Sequence, residues 1–176
     1  MKKNTIILIA AIVAVGLWLM SAYNSMVSSE EAVETAWSQV ENVYQRSMDL
    51  IPNLVATVKG YAQHESQTLE GVINARSKAT QVTVDPENLT PEALAEFNKA
   101  QGELSSALGR LMMITESYPD LKANQNFSEL QAQLEGTENR ITTERMKFNE
   151  TAKEYNTLIR KFPKSIIASI FGFEKK

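Results

Sequence analysis

The feature that most constrains this chain is an uninterrupted apolar run. Ile6 to Met20 reads IILIAAIVAVGLWLM, 15 residues without a polar side chain, and with Thr5 and Ser21–Tyr23 it extends to 19. A helix needs about 20 apolar residues at roughly 1.5 Å rise each to cross the hydrocarbon of a bilayer, so the segment is just long enough to span. Trp18 and Tyr23 lie toward one end, where amphipathic rings settle at a membrane interface. A cleaved leader also has a short basic start and an apolar centre. Cutting after Ala22 would put Met20 at the position three before the cut, where small residues are preferred, so the reading is an uncleaved anchor over residues 1–23 whose lipid contacts run through residues 6–23.

Flanking charge gives the anchor a direction. Lys2 and Lys3 precede it; beyond it no Lys or Arg occurs before Arg46, while Glu30, Glu31, Glu34 and Glu41 intervene. The excess of cations on the cytoplasmic side puts the N-terminus in the cytoplasm and the remainder of the chain outside, with too little inside to act as a signalling module. Of 18 basic residues two are in the anchor segment, so 16 remain against all 21 acidic ones, a net of −5. Such a domain lacks the basic face that phosphate contacts require, and nucleic acid is not an expected partner.

Residues 24–164 read as helix throughout. Val33, Trp37, Val40, Tyr44, Ile51, Leu54, Val58, Tyr61, Leu69 and Val72 recur every three or four positions, an amphipathic seam. Pro52 interrupts it and predicts a kink or a break near residues 48–52; Gly60 is a second weak point. The linker Gln81–Leu89 follows, and Asp85–Pro86 and Thr90–Pro91 each place a capping residue before a proline suited to the first helical position. A second helix carries Leu94, Phe97, Leu104, Leu108, Leu111 and Thr115 on one face and ends at Pro119. Asn126 and Glu129 have capping-box spacing for a third helix bearing Leu130, Leu134, Ile141, Phe148, Tyr155, Ile159 and Phe162, which ends at Pro163. No sustained period-two alternation occurs. The fold class is therefore all-α: an N-terminal transmembrane helix followed by an elongated antiparallel three- or four-helix bundle. The tail, residues 165–176, is a short amphipathic segment, SIIASIFGF between Lys164 and Lys175–Lys176. It can cap the bundle or touch lipid, and the first is the simpler expectation.

The residues that carry chemistry are sparse. With no cysteine there is no disulfide, thiolate nucleophile or Cys-zinc site. His64 is the one histidine and sits in the hydrophilic run Gln63–Gln67, which rules out a two-histidine metal site and the Glu-x-x-His pairs of a carboxylate bundle. There is no glycine-rich phosphate loop and no nucleophile elbow. Glu116–Asp120 and Glu135–Glu138 read as ordinary helical-surface carboxylates. Catalytic, cofactor and metal sites are accordingly all expected to be absent, and the chain is read as a non-enzyme. Arg46, Glu65, Arg76, Glu138 and Arg145 lie close to the seams, and because a buried charge must be paired, cross-helix ion pairs among them are expected.

Several segments together resemble the LemA family: Tyr23–Asn24, DLIPNLVATVKGYAQHE over 49–65, Ala75–Arg76, ESYPDLKANQNF over 116–127, LQAQLEGTENRI over 130–141, Tyr155–Asn156, Phe162–Pro163 and Phe171–Gly172–Phe173. They run along nearly the whole chain in family order. Departures are small: Ser47 stands where Arg would follow Arg46, and the spacing near Thr143 differs. The resemblance implies a bacterial single-pass membrane protein with an exported antiparallel helical bundle. It implies no reaction, cofactor or site residue, and it suggests an envelope component working beside other membrane proteins. The expected role is interaction or scaffolding, through a helical face or the regions near Tyr118–Pro119 and Phe171–Phe173. A small-ligand-sensing ectodomain acting through a membrane partner is the alternative, and a hydrolase relying on His64 the third reading.

Overall fold

A computed structural model describes residues 2–176. Six helices appear in order: α1 (Lys2–Tyr61), α2 (Ser66–Gln81), α3 (Pro91–Thr115), α4 (Pro119–Lys122), α5 (Gln125–Arg160) and α6 (Lys164–Phe171). No strand occurs among the described residues, and the fold is an all-α bundle. The chain divides into two compact units: the described part of Met1–Ala36 with Lys147–Lys176, and Trp37–Met146.

The unit Trp37–Met146 has one continuous apolar core. The end of α1 contributes Ile51, Leu54 and Val58; α2 contributes Leu69, Val72 and Ala79; α3 contributes Leu104 and Leu111; α4 and α5 add Leu121, Phe127 and Leu134. At its other end Phe97 of α3 meets Trp37 and Tyr44 of α1 edge-on, with ring centroids 5.0 and 5.1 Å away. Such crossed pairs add to the burial of the rings themselves. The predicted linker leaves its side chains half inside: Val84 and Leu89 are buried. Burial also raises the Glu41 carboxyl above its usual range, opposed by the Val84 N–H and the Trp37 indole.

Pro52 does not break α1, which ends instead after Tyr61, one residue past Gly60. The proline removes the N–H that would bond the carbonyl four residues earlier, Met48. That carbonyl finds another donor: Arg76 Nε of α2 reaches it at 2.8 Å. The Met48 sulfur is held as well, by Thr80 Oγ1 at 3.8 Å and Gln101 Nε2 at 3.9 Å. The local defect thus becomes the point where α2 and α3 grip α1.

Caps match the sequence in one place and differ in two. Thr90 Oγ1 accepts the Ala93 N–H at 3.1 Å with Pro91 at the first helical position, as its pattern predicts. Asp85–Pro86 starts no helix; the Asp85 side chain and carbonyl accept from Glu87 and Asn88, closing a turn. The cap of α5 is Asn124, whose Oδ1 accepts the Phe127 N–H at 3.1 Å, two residues before the expected Asn126. The sequence Asn124–Gln125–Asn126 offers two equivalent caps, and burying Phe127 selects the earlier one.

In the other unit, Ala22, Met26 and Val33 of α1 are buried with Phe148, Ala152, Tyr155 and Ile159 of α5. The tail forms α6, which buries Ile167 and Ala168. Gly172 then adopts φ 75°, and the Phe173 N–H reaches back to the Ala168 carbonyl at 2.9 Å. That closure requires a left-handed residue, which glycine supplies without strain.

Replacing Arg76 by Ala leaves the Met48 carbonyl without a donor and is expected to cost about 1–3 kcal/mol in denaturant unfolding. In a Pro52→Ala background the Met48 carbonyl regains a helical donor, so the cost of Arg76→Ala should shrink. An unchanged cost there would refute the compensation.

Candidate functional site

The segments that mark the chain from a distance in sequence gather into two clusters, one in each unit. In Trp37–Met146 the cluster forms where α1 turns into α2 and α3 passes through α4 into α5. The Tyr118 hydroxyl donates to Glu65 at 3.2 Å, Asn124 Nδ2 donates to the Tyr61 hydroxyl at 2.9 Å, and Lys122 pairs with Glu116 at 2.7 Å. Burial, and then the Glu65 carboxylate, raise the Tyr118 phenol above its usual range. The runs YAQHE and ESYPDLKANQNF therefore meet through hydrogen bonds that lock two loops together. His64 lies exposed in the α1–α2 turn.

In the other unit the cluster is tighter. Tyr23 of α1 stacks at a tilt on Phe171, with centroids 5.0 Å apart, and meets Phe173 edge-on at 5.7 Å. Asn156 of α5 clasps the backbone of Lys176 with both ends of its amide, Nδ2 to the carbonyl at 2.8 Å and Oδ1 from the N–H at 2.9 Å. The Lys176 ammonium lies between two carboxylates of α1, Glu30 at 3.2 Å and Glu34 at 3.3 Å. Glu30 and Glu34 are four residues apart, so they share a helix face and repel one another unless a cation intervenes. Next to them Tyr155 is fully buried, and its hydroxyl has no hydrogen-bond partner of good geometry. Burial, together with the negative charges of Glu30, Glu174 and Glu34, pushes this phenol well above the ordinary tyrosine range.

The cross-helix ion pairs expected among the seam residues do not form. Arg76 serves the Met48 carbonyl, Glu65 accepts from Tyr118, and Arg145 Nη1 donates to the Tyr44 hydroxyl at 3.2 Å. Arg145 and Glu138 line a groove of about 380 Å³ with Tyr44, Ser47, Gln101 and Ser105. Arg46 lines another, of about 450 Å³, with Arg140 and Thr137. A carbonyl satisfies half-buried Arg76 and a hydroxyl meets Arg145, while Arg46 and Arg145 are exposed to water, so partner carboxylates are not needed. Among the described residues no group of three His, Asp or Glu is placed to hold a metal ion. The Tyr118–Pro119 and Phe171–Phe173 regions fall in different units.

Sequence reading missed the Glu30–Glu34–Lys176 cluster. A signal was available: Glu30 and Glu34 bracket buried Val33 between Met26 and Trp37, and two like charges beside an apolar stripe ask for a cation. Nothing in the spacing says that the cation comes from residue 176.

Helix α1 contains one window long and apolar enough to cross a membrane by length and composition. Residues 2–21 are exposed throughout, the condition of a membrane-associated segment whose solvent is lipid. A family model described as the LemA family matches residues 36–176. Magnetosome protein MamQ 2 of Paramagnetospirillum magneticum is 27 % identical over 189 residues, covering 97 % of this chain and 69 % of its own length. Magnetosome protein MamQ of Magnetospirillum gryphiswaldense is 27 % identical over 186 residues, covering 95 % and 68 %. Protein LemA of Metamycoplasma hominis is 23 % identical over 145 residues, covering 82 % of this chain and 63 % of its own length.

Because folded Tyr155 holds its proton more tightly than the unfolded chain, its contribution to stability is complete below the ordinary pKa of about 10 and is lost as pH rises above it. Tyr155→Phe should therefore reduce the fall in Tm above about pH 10, while costing no more than about 1 kcal/mol at neutral pH, because the hydroxyl makes only a poorly aligned approach to Glu30. Parallel melting curves for the two proteins from neutral to alkaline pH would contradict the assignment. Lys176→Met should cost about 1–2 kcal/mol, between the values for exposed and buried ion pairs, and Glu30→Gln should recover part of that loss. Additive losses in the double variant would show that the repulsion is not the cause.

Proposed function

The chain belongs to the LemA family, and from that premise we propose that it is a single-pass membrane-anchored interaction protein of the bacterial envelope, without catalytic activity of its own. One observation carries the reading: the same helix that exposes only apolar side chains over residues 6–20 goes on, without interruption, to bury Met26 and Val33 in folded protein. A helix whose surface changes in this way has lipid around one part and protein around the next. Lys2 and Lys3 before the span, and the acidic run Glu30–Glu41 after it, support a cytoplasmic N-terminus with the helical bundle outside the inner membrane. The clusters described above consist of hydrogen bonds, ion pairs and ring contacts that hold helices and loops together.

Membrane fractionation of cells expressing the full chain tests the anchor: the protein should resist carbonate extraction, and deleting residues 2–23 should release it. A mature chain beginning after residue 20 would overturn the anchor. The cysteine-free background allows the direction to be read directly. In intact cells a membrane-impermeant maleimide should label Ser128→Cys and spare Lys3→Cys; the reverse pattern would invert the topology. Crosslinking in native membranes should return a reproducible envelope partner, and repeated failure across growth conditions would count against the interaction role.

A further inference from the structure

We propose that α6 is a second membrane contact, an amphipathic helix whose outer face lies in the headgroup region of an anionic phospholipid bilayer next to the anchor. This rests on the reading of residues 6–23 as a transmembrane anchor. The geometry within the unit fixes where α6 sits along α1. Phe171, the last residue of α6, and Phe173, just after it, touch Tyr23 at ring distances of 5.0 and 5.7 Å. Tyr23 closes the apolar span. If about 20 residues fill the hydrocarbon, Tyr23 is at the interface, and rings in contact with it are at that depth too.

The exposure pattern of α1 agrees. Along the span Ile6, Leu8 and Leu17 are 61–65 % exposed, whereas Trp18, Leu19 and Tyr23 fall to about 40 % and Ala22 is buried. Protein therefore begins to cover one side of the anchor at Trp18, before the apolar span has ended. An element packed at that level is bathed by headgroups and the first methylenes.

The composition of α6 suits that position. Ile167 and Ala168 pack inward, while Ile166, Ile170 and Phe171 remain exposed, Ile170 at 72 %, and Phe162 just before the helix is 80 % exposed. Leaving four large apolar side chains in water within a dozen residues is unfavourable by about 25 cal/mol per Å². Burial in the acyl boundary removes that cost. In sequence, Arg160, Lys161, Lys164 and Lys175 flank the patch against Glu174 alone, while Lys176 is already held by Glu30 and Glu34. Exposed apolar residues rimmed by cations are the pattern of a helix lying on an anionic surface.

The test uses the full chain reconstituted in phosphatidylglycerol–phosphatidylcholine vesicles, with one nitroxide label at a time on the cysteine-free background. Labels on Ile166→Cys and Ile170→Cys should be reached by oxygen in preference to an aqueous nickel chelate, whereas one on Ser77→Cys of α2 should show the opposite. Replacing the anionic lipid by a neutral one should lower the ratio of embedded to exposed label at Ile170→Cys by roughly fivefold for each cation engaged. If labels at 166 and 170 match the one at Ser77→Cys while a label on Ile12→Cys remains in hydrocarbon, the anchor stands and the α6 contact is refuted. A water-exposed label on Ile12→Cys would overturn the anchor itself, and the α6 contact with it. Circular dichroism of each variant confirms that the labels report on folded protein.

Discussion

A proline inside a helix takes away one donor and leaves one carbonyl exposed, and the unit Trp37–Met146 is organised around that deficit. Pro52 cannot serve the Met48 carbonyl; Arg76 does, from the neighbouring helix, at 2.8 Å. The same Met48 offers its sulfur to Thr80 and to Gln101, so α2 and α3 both register on a single residue of α1. A side chain that pairs with a backbone carbonyl can do so in only one register, unlike an apolar contact, which tolerates sliding. The Leu and Val core below supplies most of the driving force for association, and the bond from Arg76 selects which turn of α2 faces which turn of α1.

In the remaining unit, charge plays the comparable part. Glu30 and Glu34 are set on one face of α1 by helix periodicity, and without a cation they would oppose the packing of Val33 and Tyr155 beside them. Lys176 supplies the charge, while Asn156 fixes its backbone with two hydrogen bonds. Holding residue 176 in turn brings Phe173 and Phe171 to Tyr23, so an electrostatic need near one turn of α1 places aromatic rings beside the end of its apolar run. The family-marking residues at the two chain ends, Tyr23 and Tyr155–Asn156 with Phe171–Phe173, thereby acquire a shared structural purpose.

Much of this was legible in the residues. The apolar run, its flanking lysines, the every-third-or-fourth seams and the Thr90–Pro91 cap are local signals, and each helix they indicate is present. What the residues leave open or misplace shares a physical origin. Pro52 allows either a kink or a break, because the loss of its own bond is local, whereas the compensating Arg76 lies on another helix. Capping-box spacing points to Asn126, whereas the structure caps α5 two residues earlier with Asn124, whose side chain accepts the N–H of buried Phe127. Ion pairs were expected among Arg46, Glu65, Arg76, Glu138 and Arg145 because a charge near a seam needs a partner, but a carbonyl or a phenol serves as well as a carboxylate.

The sequence by itself determined that the chain is helical, that one stretch is fit for lipid and that the rest must bury long apolar stripes, because hydrophobic period and run length depend only on neighbours along the chain. Only the tertiary structure decided which polar groups meet: Arg76 with the Met48 carbonyl, Tyr118 with Glu65, Lys176 with Glu30 and Glu34. Those choices depend on distances between residues 28 to 146 positions apart in the chain, set by how the helices pack, and no local pattern encodes them.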